Sequence, residues 1–288
     1  MITAKTYEVP CIYKKKEINF SASRPPIRVA VPGSKSITNR ALLLATLARG
    51  TSSLRGVLFS DDSRHFLKCI QELGFETTVD VDKKEVQVTG LGGAVPKAEA
   101  SPYVGSAGTA ARFLTAYLGV SHGTYYMDAS EQMRRRPMAP LIASLRELGC
   151  EILCEEEEGH FPFTIKSHGF GKRLITVDIE HSSQFLSALL ISSCLSPEDM
   201  TIHIEGEHGM AYIGITTRMM EQFGVHAQPQ YYCMGSADNH DCCGCVNSTR
   251  PMGYRIAAGQ HYQALDYQIE PDVSAACYFY AMGALLNV

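Results

Sequence analysis

A repeat of about 75 residues most constrains what this chain can fold into. Three segments share one pattern, an amphipathic helix that ends at a glycine and is followed by residues alternating as in a β-hairpin. The helix-ending glycines are Gly74, Gly149 and Gly224, which follow one another at intervals of 75 residues. Repeats of this length pack side by side around a shared core, so the pattern predicts one lobe built from similar units.

A second kind of helix precedes each amphipathic one and is apolar on nearly every face. The sequence predicts that these helices begin at Ser36, Ser106 and Ser182. Because a helix without a polar face is normally buried, we expect the three to pack against one another. The predicted unit is therefore strand, buried helix, strand, surface helix and hairpin, which is an α/β fold with sheets and surface helices outside.

A fourth apolar helix is predicted from Ser274 to Val288, where the sequence ends. No surface helix or hairpin follows it, so the pattern predicts a C-terminally truncated version of a longer protein. The alternative is a terminal helix that caps a three-repeat domain. An apolar helix left exposed favours association with a partner.

Composition narrows the class of protein. With 45% hydrophobic and 19% charged residues the chain reads as soluble and globular, and a net charge of -4 argues against a general nucleic-acid partner. Uncharged apolar runs fall short of the roughly 20 residues of a membrane helix, and the first residues lack the apolar core of a secretory signal. Ten cysteines in such a chain indicate reduced thiols, so we expect a cytoplasmic location.

The segment from Cys233 to Cys245 interrupts the third predicted hairpin. Its four cysteines and His240 leave zinc binding open as one interpretation, although their spacing matches no paired C-x₂-C pattern. The sequence favours the other interpretation, an ordinary surface loop, and we predict no metal site.

The stretch VPGSKSITNR, residues 31–40, looks like a loop that holds an anion. It does not match the nucleotide-binding pattern G-x-x-x-x-G-K-[ST], because a serine precedes Lys35 and no glycine lies five residues before Gly33. Another mechanism remains, since a helix N-terminus attracts negative charge and Lys35 supplies a cation. Ser36 adds a hydroxyl, and Arg40 lies one helical turn beyond it. The alternative is a serine-capped helix with two solvated cations.

The other two buried helices begin in a similar way. The second opens with VGSAGTAAR, in which glycines and hydroxyls are followed by Arg112, and the third opens with Ser182, Ser183 and Gln184. Because equivalent points of a repeat cluster in space, three polar helix starts predict one site for a ligand with more than one negative group. At least one arginine of MRRRPM is expected to join this site.

Six segments occur in an order that resembles the EPSP synthase family, the 3-phosphoshikimate 1-carboxyvinyltransferases. They are PGSKSITNRALLLATLARG, SDDSRHFLKCIQELG, GSAGTAARFLTA, RRRPMAPLIASLRELG, SSQFLSALL and EPDVSAACYFYA. This family has two similar lobes, each an inside-out α/β barrel of three βαβαββ-type units with buried helices, and an active site between them. The resemblance therefore implies the enolpyruvyl-transferase fold, with one complete lobe and part of a second.

The resemblance also implies how the chain divides. Residues 25–266 would form the complete three-repeat lobe, and residues 1–24 and 267–288 would belong to the incomplete one. The family's general base, a catalytic glutamate, two further arginines and a C-terminal lysine match no residue of this sequence. We therefore expect weak substrate binding and little or no turnover by this chain alone.

Members of this family transfer the enolpyruvyl group of phosphoenolpyruvate to the 5-hydroxyl of shikimate 3-phosphate and release phosphate, without a cofactor. By resemblance, Lys35 would touch both substrates and is the catalytic residue that this chain contains. Shikimate 3-phosphate would be held by Ser36, Arg40, Ser182, Ser183 and Gln184. Phosphoenolpyruvate would face Gly108 and Arg136, with Gln184 near both substrates, whereas Arg134 and Arg135 would be solvated.

Three further residues bear on the predicted site. The family often has serine where this chain has Gly209, so one phosphate contact is expected to be lost. Asp61 and Asp62 are expected to begin a surface helix and to cap it.

Two alternative functions remain. Enolpyruvyl transfer to a UDP-aminosugar uses the same architecture, but that class has asparagine after the motif lysine and a reactive loop cysteine. Here Ser36 follows Lys35, and no cysteine lies between Cys69 and Cys150. The other alternative is a non-catalytic anion-binding lobe, complemented by another chain or by a second copy of itself.

Overall fold

The structure, a computed structural model, describes residues 29–231 and 250–286. The chain divides into two compact units. The larger runs from Pro32 to Asp272, and the smaller combines Met1–Val31 with Val273–Val288. The larger unit differs by several residues at each end from the predicted lobe 25–266, and the assignment of lobes stays a prediction. The cysteine-bearing loop at 233–245 lies outside the described residues.

The helices of the larger unit follow the predicted alternation of buried and surface elements. They are α1 (Lys35–Leu47), α2 (Asp61–Glu72), α3 (Gly108–Gly119), α4 (Glu131–Arg134), α5 (Ala139–Glu147), α6 (Ser183–Ser193) and α7 (Met210–Gln222). The strands of the first repeat are β1 (Arg49–Arg55), β2 (Thr77–Asp80) and β3 (Glu85–Leu91). Those of the second are β4 (Glu99–Ala100), β5 (His122–Met127), β6 (Glu151–Cys154) and β7 (Phe163–His168). The remaining strands are β8 (Leu174–Asp178), β9 (Met200–Glu205), β10 (Ala227–Gln230), β11 (Gly253–Ile256) and β12 (Asp266–Gln268).

Three four-stranded sheets repeat one topology. Their strand orders are β12-β1-β3-β2, β4-β5-β7-β6 and β8-β9-β11-β10. In each sheet the first two strands are parallel and the other neighbours are antiparallel. A parallel pair needs a crossover connection, and in the second and third repeats the buried helix α3 or α6 provides it. The three-unit α/β architecture predicted from the 75-residue repeat is thereby confirmed.

The first repeat departs from the predicted order of elements. Its leading strand does not precede α1 but is β12, which comes from the other end of the larger unit. β12 pairs in parallel with β1, with Ser53 opposite Asp266 and Arg55 opposite Gln268. An isolated bridge between Gly33 and Pro271 lies just beyond this pair. A strand of three residues carries no alternation of its own, which is why the sequence pattern missed it.

The three apolar helices form the interior of the larger unit, as predicted. All twelve residues of α3 are buried, as are ten of the eleven in α6 and eleven of the thirteen in α1. They begin at Lys35, Gly108 and Ser183, within two residues of the predicted starts. With sheets and amphipathic helices around them, they give a lobe like the inside-out barrel that the family resemblance implies.

The surface helices end where the repeat predicted. Gly74, Gly149 and Gly224 follow the last residues of α2, α5 and α7, with φ of +95°, +95° and +92°. In this left-handed conformation a side chain is strained, so glycine is the residue that lets the chain turn into the next strand. None of the helices described in the two ranges is long and apolar enough to cross a membrane.

The smaller unit contains the fourth apolar helix, α8 (Val273–Leu286). It begins one residue before the predicted Ser274. Unlike the interior helices of the larger unit, α8 has exposed aromatic residues, since Tyr278 and Tyr280 are each 74% exposed. Phe279 and Met282 are also exposed.

Candidate anion-binding site

The first predicted site residue, Lys35, is the first residue of α1. Ser34 occupies the N-cap position with an extended backbone, but its side chain makes no capping hydrogen bond. The serine-capped alternative for this helix start is therefore not what the structure contains. The Lys35 ammonium is half-exposed and lies 3.2 Å from Asp62 Oδ2, at the start of α2. Ser60, rather than Asp61 or Asp62, caps α2 by accepting a hydrogen bond from the Ser63 amide.

Arg40 is buried one turn further along α1, at 3% exposure. Its Nε donates to Thr216 Oγ1 at 2.8 Å, its Nη1 to the Ser36 carbonyl at 3.0 Å, and its Nη2 to Ser187 Oγ and the Tyr212 carbonyl at 3.3 and 3.4 Å. Burial lowers the pKa of the Arg40 guanidinium to about 10. The charge is therefore held among neutral acceptors that link α1 to α6 and α7.

A second buried cation, Arg112, lies at the equivalent place on α3. Its Nη1 donates to the Gly108 carbonyl at 3.1 Å and its Nη2 to the Pro137 carbonyl at 3.2 Å, while its buried Nε has no hydrogen-bond partner. Burial and the neighbouring Arg136 lower the pKa of the Arg112 guanidinium to about 9. A desolvated arginine beside another cation carries an uncompensated positive charge, and a nearby anion would stabilise it.

Gly108 leaves room for these two cations at the start of α3. A Cβ at position 108 would lie 2.6 Å from Arg136 Nη1 and 2.9 Å from Arg112 Nη1. The N-cap of α3 is Ala107, which offers no side-chain acceptor, so the first amides of the helix are left without a side-chain cap. The structure thus brings Gly108 and Arg136 together.

The start of α6 joins this cluster directly. Ser182 caps α6 by accepting a hydrogen bond from the Gln184 amide at 3.2 Å. Gln184 Nε2 reaches Thr109 Oγ1 at 3.4 Å, across to α3, while Gln184 Oε1 is buried without a partner. Ser183 Oγ lies 2.5 Å from where a Cβ would stand on Gly209, the residue before α7. The absence of a side chain at Gly209 therefore allows the start of α7 to lie close to α6.

These contacts place the predicted residues in three groups. Gly108 and Arg136 meet at the start of α3, where Gln184 of α6 contacts Thr109, whereas Arg40 connects α1 with α6 and α7. Lys35 is joined to α2 through Asp62. Among the described residues, the hydrogen bonds of Arg40 and Arg112 go to hydroxyl, carbonyl and sulfur acceptors rather than to carboxylates.

The two other arginines of MRRRPM point to carboxylates instead. Arg134 bonds Asp128 bidentately at 3.0 Å and also bonds Glu156, while Arg135 pairs with Glu131 one turn before it. Compensated in this way, they differ from Arg136, which lies beside Gly108. Within residues 29–231 and 250–286, no three or more His, Cys, Asp or Glu side chains are grouped so as to hold a metal ion.

Three further residues lie at the candidate site, although the family pattern assigned none of them to a ligand. Arg112 and Thr109 were visible as a basic residue and a hydroxyl at the start of α3, and the structure adds that both are buried and that Thr109 contacts Gln184. Asp62 was expected to stabilise its own helix, and its pairing with Lys35 depends on how α2 packs against α1. The signal available in the sequence was the spacing of Gly108 and Arg112, which equals that of Ser36 and Arg40.

Fold and site together define a class, a three-repeat α/β lobe with uncompensated cations and hydroxyls at the starts of its interior helices. Residues 26–242 match the family model of EPSP synthase (3-phosphoshikimate 1-carboxyvinyltransferase). The chain therefore belongs to the EPSP synthase family.

Individual relatives agree with this family. A 3-phosphoshikimate 1-carboxyvinyltransferase of Trichormus variabilis is 41% identical over 258 residues, which cover 89% of this chain and 56% of the relative. One from Sulfurovum sp. is 38% identical over 273 residues, covering 92% of this chain and 60% of the relative. The chain thus spans little more than half the length of these relatives.

A solved structure has the same fold. The EPSP synthase of Acinetobacter baumannii superposes with a TM-score of 0.71 at 22% identity, covering 89% of this chain and 52% of that protein. At this level of identity the likeness concerns the fold.

Proposed function

We propose that this chain is the shikimate 3-phosphate-binding lobe of a 3-phosphoshikimate 1-carboxyvinyltransferase. In the proposed reaction the enolpyruvyl group of phosphoenolpyruvate passes to the 5-hydroxyl of shikimate 3-phosphate and phosphate leaves. The observation that carries the proposal is the pair of buried arginines, Arg40 and Arg112, whose described partners are neutral. Desolvated cations of this kind are compensated when a multiply charged anion binds.

The roles of individual residues follow the family pattern. Ser36, Arg40, Ser182, Ser183 and Gln184 would hold shikimate 3-phosphate, and Gly108, Arg136 and Gln184 would face phosphoenolpyruvate. Lys35 would touch both and stabilise negative charge in the transition state. Arg112 joins them on the evidence of its burial and its nearness to Arg136 and Gly108.

Titration calorimetry of the 288-residue chain tests this proposal. We expect shikimate 3-phosphate to bind weakly and UDP-N-acetylglucosamine not to bind, because Ser36 follows Lys35 as in the shikimate enzymes. With both substrates present we expect binding but little release of inorganic phosphate, since no residue of this sequence matches the family's general base. Preferential binding of the UDP-sugar would favour the sister enzyme. Robust phosphate release would contradict the expectation that essential groups are missing.

Lys35→Met should lower the affinity for shikimate 3-phosphate by roughly 10- to 100-fold, the range for losing one charge-assisted hydrogen bond. The same titration provides the measurement. Lys68→Met is the matched control, because Lys68 is an exposed lysine on the surface of α2. If both variants bind like the wild type, Lys35 does not contact the ligand.

We further propose that α8 associates with a second copy of itself. The support is its composition, because the apolar helices α3 and α6 of the larger unit are buried whereas Tyr278 and Tyr280 of the apolar helix α8 are exposed. Sedimentation velocity should show a concentration-dependent dimer that Tyr278→Glu/Tyr280→Glu converts to monomer. A wild-type chain that stays monomeric at all concentrations would exclude this association.

A cytoplasmic location also belongs to the proposal, supported by the free thiols of Cys69, Cys150 and Cys194.

A further inference from the structure

One face of α2 connects two parts of the candidate site. Asp62, His65 and Cys69 are three and four residues apart, so they lie on the same side of the helix. At one end of this face, Asp62 pairs with Lys35 of α1 at 3.2 Å. The other two side chains contact the segment that leads into α3.

His65 packs directly against the backbone turn before α3. A Cβ at Gly105 would lie 2.4 Å from His65 Nε2 and 2.5 Å from its Cε1, so the imidazole ring occupies the space in front of this glycine. Gly105 has φ +57°, and the turn it makes depends on the absence of a side chain. The same ring meets Tyr103 edge-on, with the ring centroids 6.0 Å apart.

Cys69 holds the same segment one turn further along α2. Its Sγ donates to the Tyr103 carbonyl at 3.3 Å, and the side chain is buried. Burial raises the pKa of the Cys69 thiol to about 12, so the group keeps the proton that it donates. Residues 103–105 are therefore contacted by two side chains of α2.

The opposite side of the turn is fixed by hydrogen bonds to the segment before α4. The Val104 amide donates to the Asp128 carbonyl at 2.9 Å, and the Ser130 amide donates to the Gly105 carbonyl at 3.0 Å. The hydroxyls of Ser106 and Ser130 are 2.7 Å apart. The turn is thus confined between α2 and this segment, and Gly108 follows it by three residues.

We propose that His65 is a positioning residue, whose ring fixes the Gly105 turn and thereby sets Gly108 and its neighbouring arginines relative to Lys35. The inference rests on the proposed function, in which Gly108 and Arg136 face phosphoenolpyruvate and Lys35 faces both substrates. α2 contacts both Lys35 and the turn before α3, because Asp62 pairs with Lys35 and His65 packs against Gly105. Binding groups must be held to within a fraction of an ångström, so a loosened turn weakens the part of the site that it carries.

The experiment compares His65→Ala, His65→Phe and the control Lys68→Ala, which alters an exposed residue of the same helix. Calorimetry measures the affinities for phosphoenolpyruvate, in the presence of shikimate 3-phosphate, and for shikimate 3-phosphate alone. His65→Ala should lower the affinity for phosphoenolpyruvate about tenfold. The affinity of His65→Ala for shikimate 3-phosphate should stay within about twofold of the wild-type value, because that ligand is assigned mainly to α1 and α6. His65→Phe keeps a ring against Gly105 and should restore most of the lost affinity.

Amide hydrogen exchange of the ligand-free protein tests the same inference independently of substrate. Exchange at Gly105 through Gly108 should become faster in His65→Ala, and should stay at the wild-type rate in His65→Phe and Lys68→Ala. If wild-type protein binds neither substrate, the proposed function fails, and exchange alone decides the role of His65. Unchanged exchange and affinity in His65→Ala would overturn the inference, as would an equal loss for both substrates with a lower melting temperature. Failure of His65→Phe to rescue would point instead to a chemical role of the imidazole.

Discussion

Replacing Arg112 with methionine should stabilise the protein, or leave its stability unchanged, while the affinity for shikimate 3-phosphate in the presence of phosphoenolpyruvate falls roughly 10- to 100-fold. The two effects have opposite signs for one reason. In the free protein the guanidinium is buried beside Arg136, its Nε has no partner, and burial lowers its pKa to about 9. A methionine of similar length removes this uncompensated charge. The same substitution removes a positive charge that would attract the bound anions, so the affinity for them falls.

Thermal unfolding and calorimetry on one preparation measure both effects. Arg146→Met is the matched control, because Arg146 lies in the same repeat but is paired with Glu158 at the surface. That variant should bind like the wild type. A large fall in the melting temperature of Arg112→Met, with ligand binding intact, would mean that Arg112 is a structural residue and not part of the site.

Gly108→Ala should lower the affinity for phosphoenolpyruvate by about tenfold or more and leave the fold intact. Gly108 is the first residue of α3 and does not have a positive φ, so alanine suits the backbone there. Its methyl group, however, would lie 2.6 Å from Arg136 Nη1 and 2.9 Å from Arg112 Nη1, and both cations would have to move. The loss should be smaller for shikimate 3-phosphate, which is assigned to the starts of α1 and α6.

Gly214→Ala is the control for this second variant. Gly214 lies within α7, and nothing lies within 4 Å of the position of its Cβ. It should leave binding unchanged and stabilise the helix by about 0.5–1 kcal/mol, the usual gain for alanine over glycine. Equal phosphoenolpyruvate affinities in the two variants and the wild type would show that Gly108 does not adjoin the ligand.

The sequence allowed the repeat to be predicted because its signals are local. A glycine that ends each surface helix and an apolar helix before it are visible within a few residues, and Gly74, Gly149 and Gly224 take the expected conformation. The starts of the buried helices were predicted within two residues for the same reason. The leading strand of the first sheet could not be found in this way, because β12 is recognisable only by the strand that it pairs with.

The sequence indicates which residues belong to the candidate site but not how they are arranged. Gly108 lies beside Arg136, and Gln184 contacts the next residue, Thr109. No local pattern indicates that Lys35 is paired with Asp62 or that Arg112 is buried without a charged partner. Both facts depend on helix packing across distant parts of the chain. The electrostatic state of a side chain is set by such neighbours, whereas its residue type alone sets only what it is able to do.

The strand β12 also bears on how the larger unit is made during synthesis. Ser53 of β1 pairs with Asp266 of β12, which is synthesised 213 residues later, so the first sheet cannot be completed until then. Contacts at such sequence separation slow folding, and until they form the free edge of β1 presents unpaired backbone groups to other chains. The second and third sheets are built from nearby strands and need no such delay. We therefore expect the first repeat to be the last to reach its native state and the part of the nascent chain most in need of protection from aggregation.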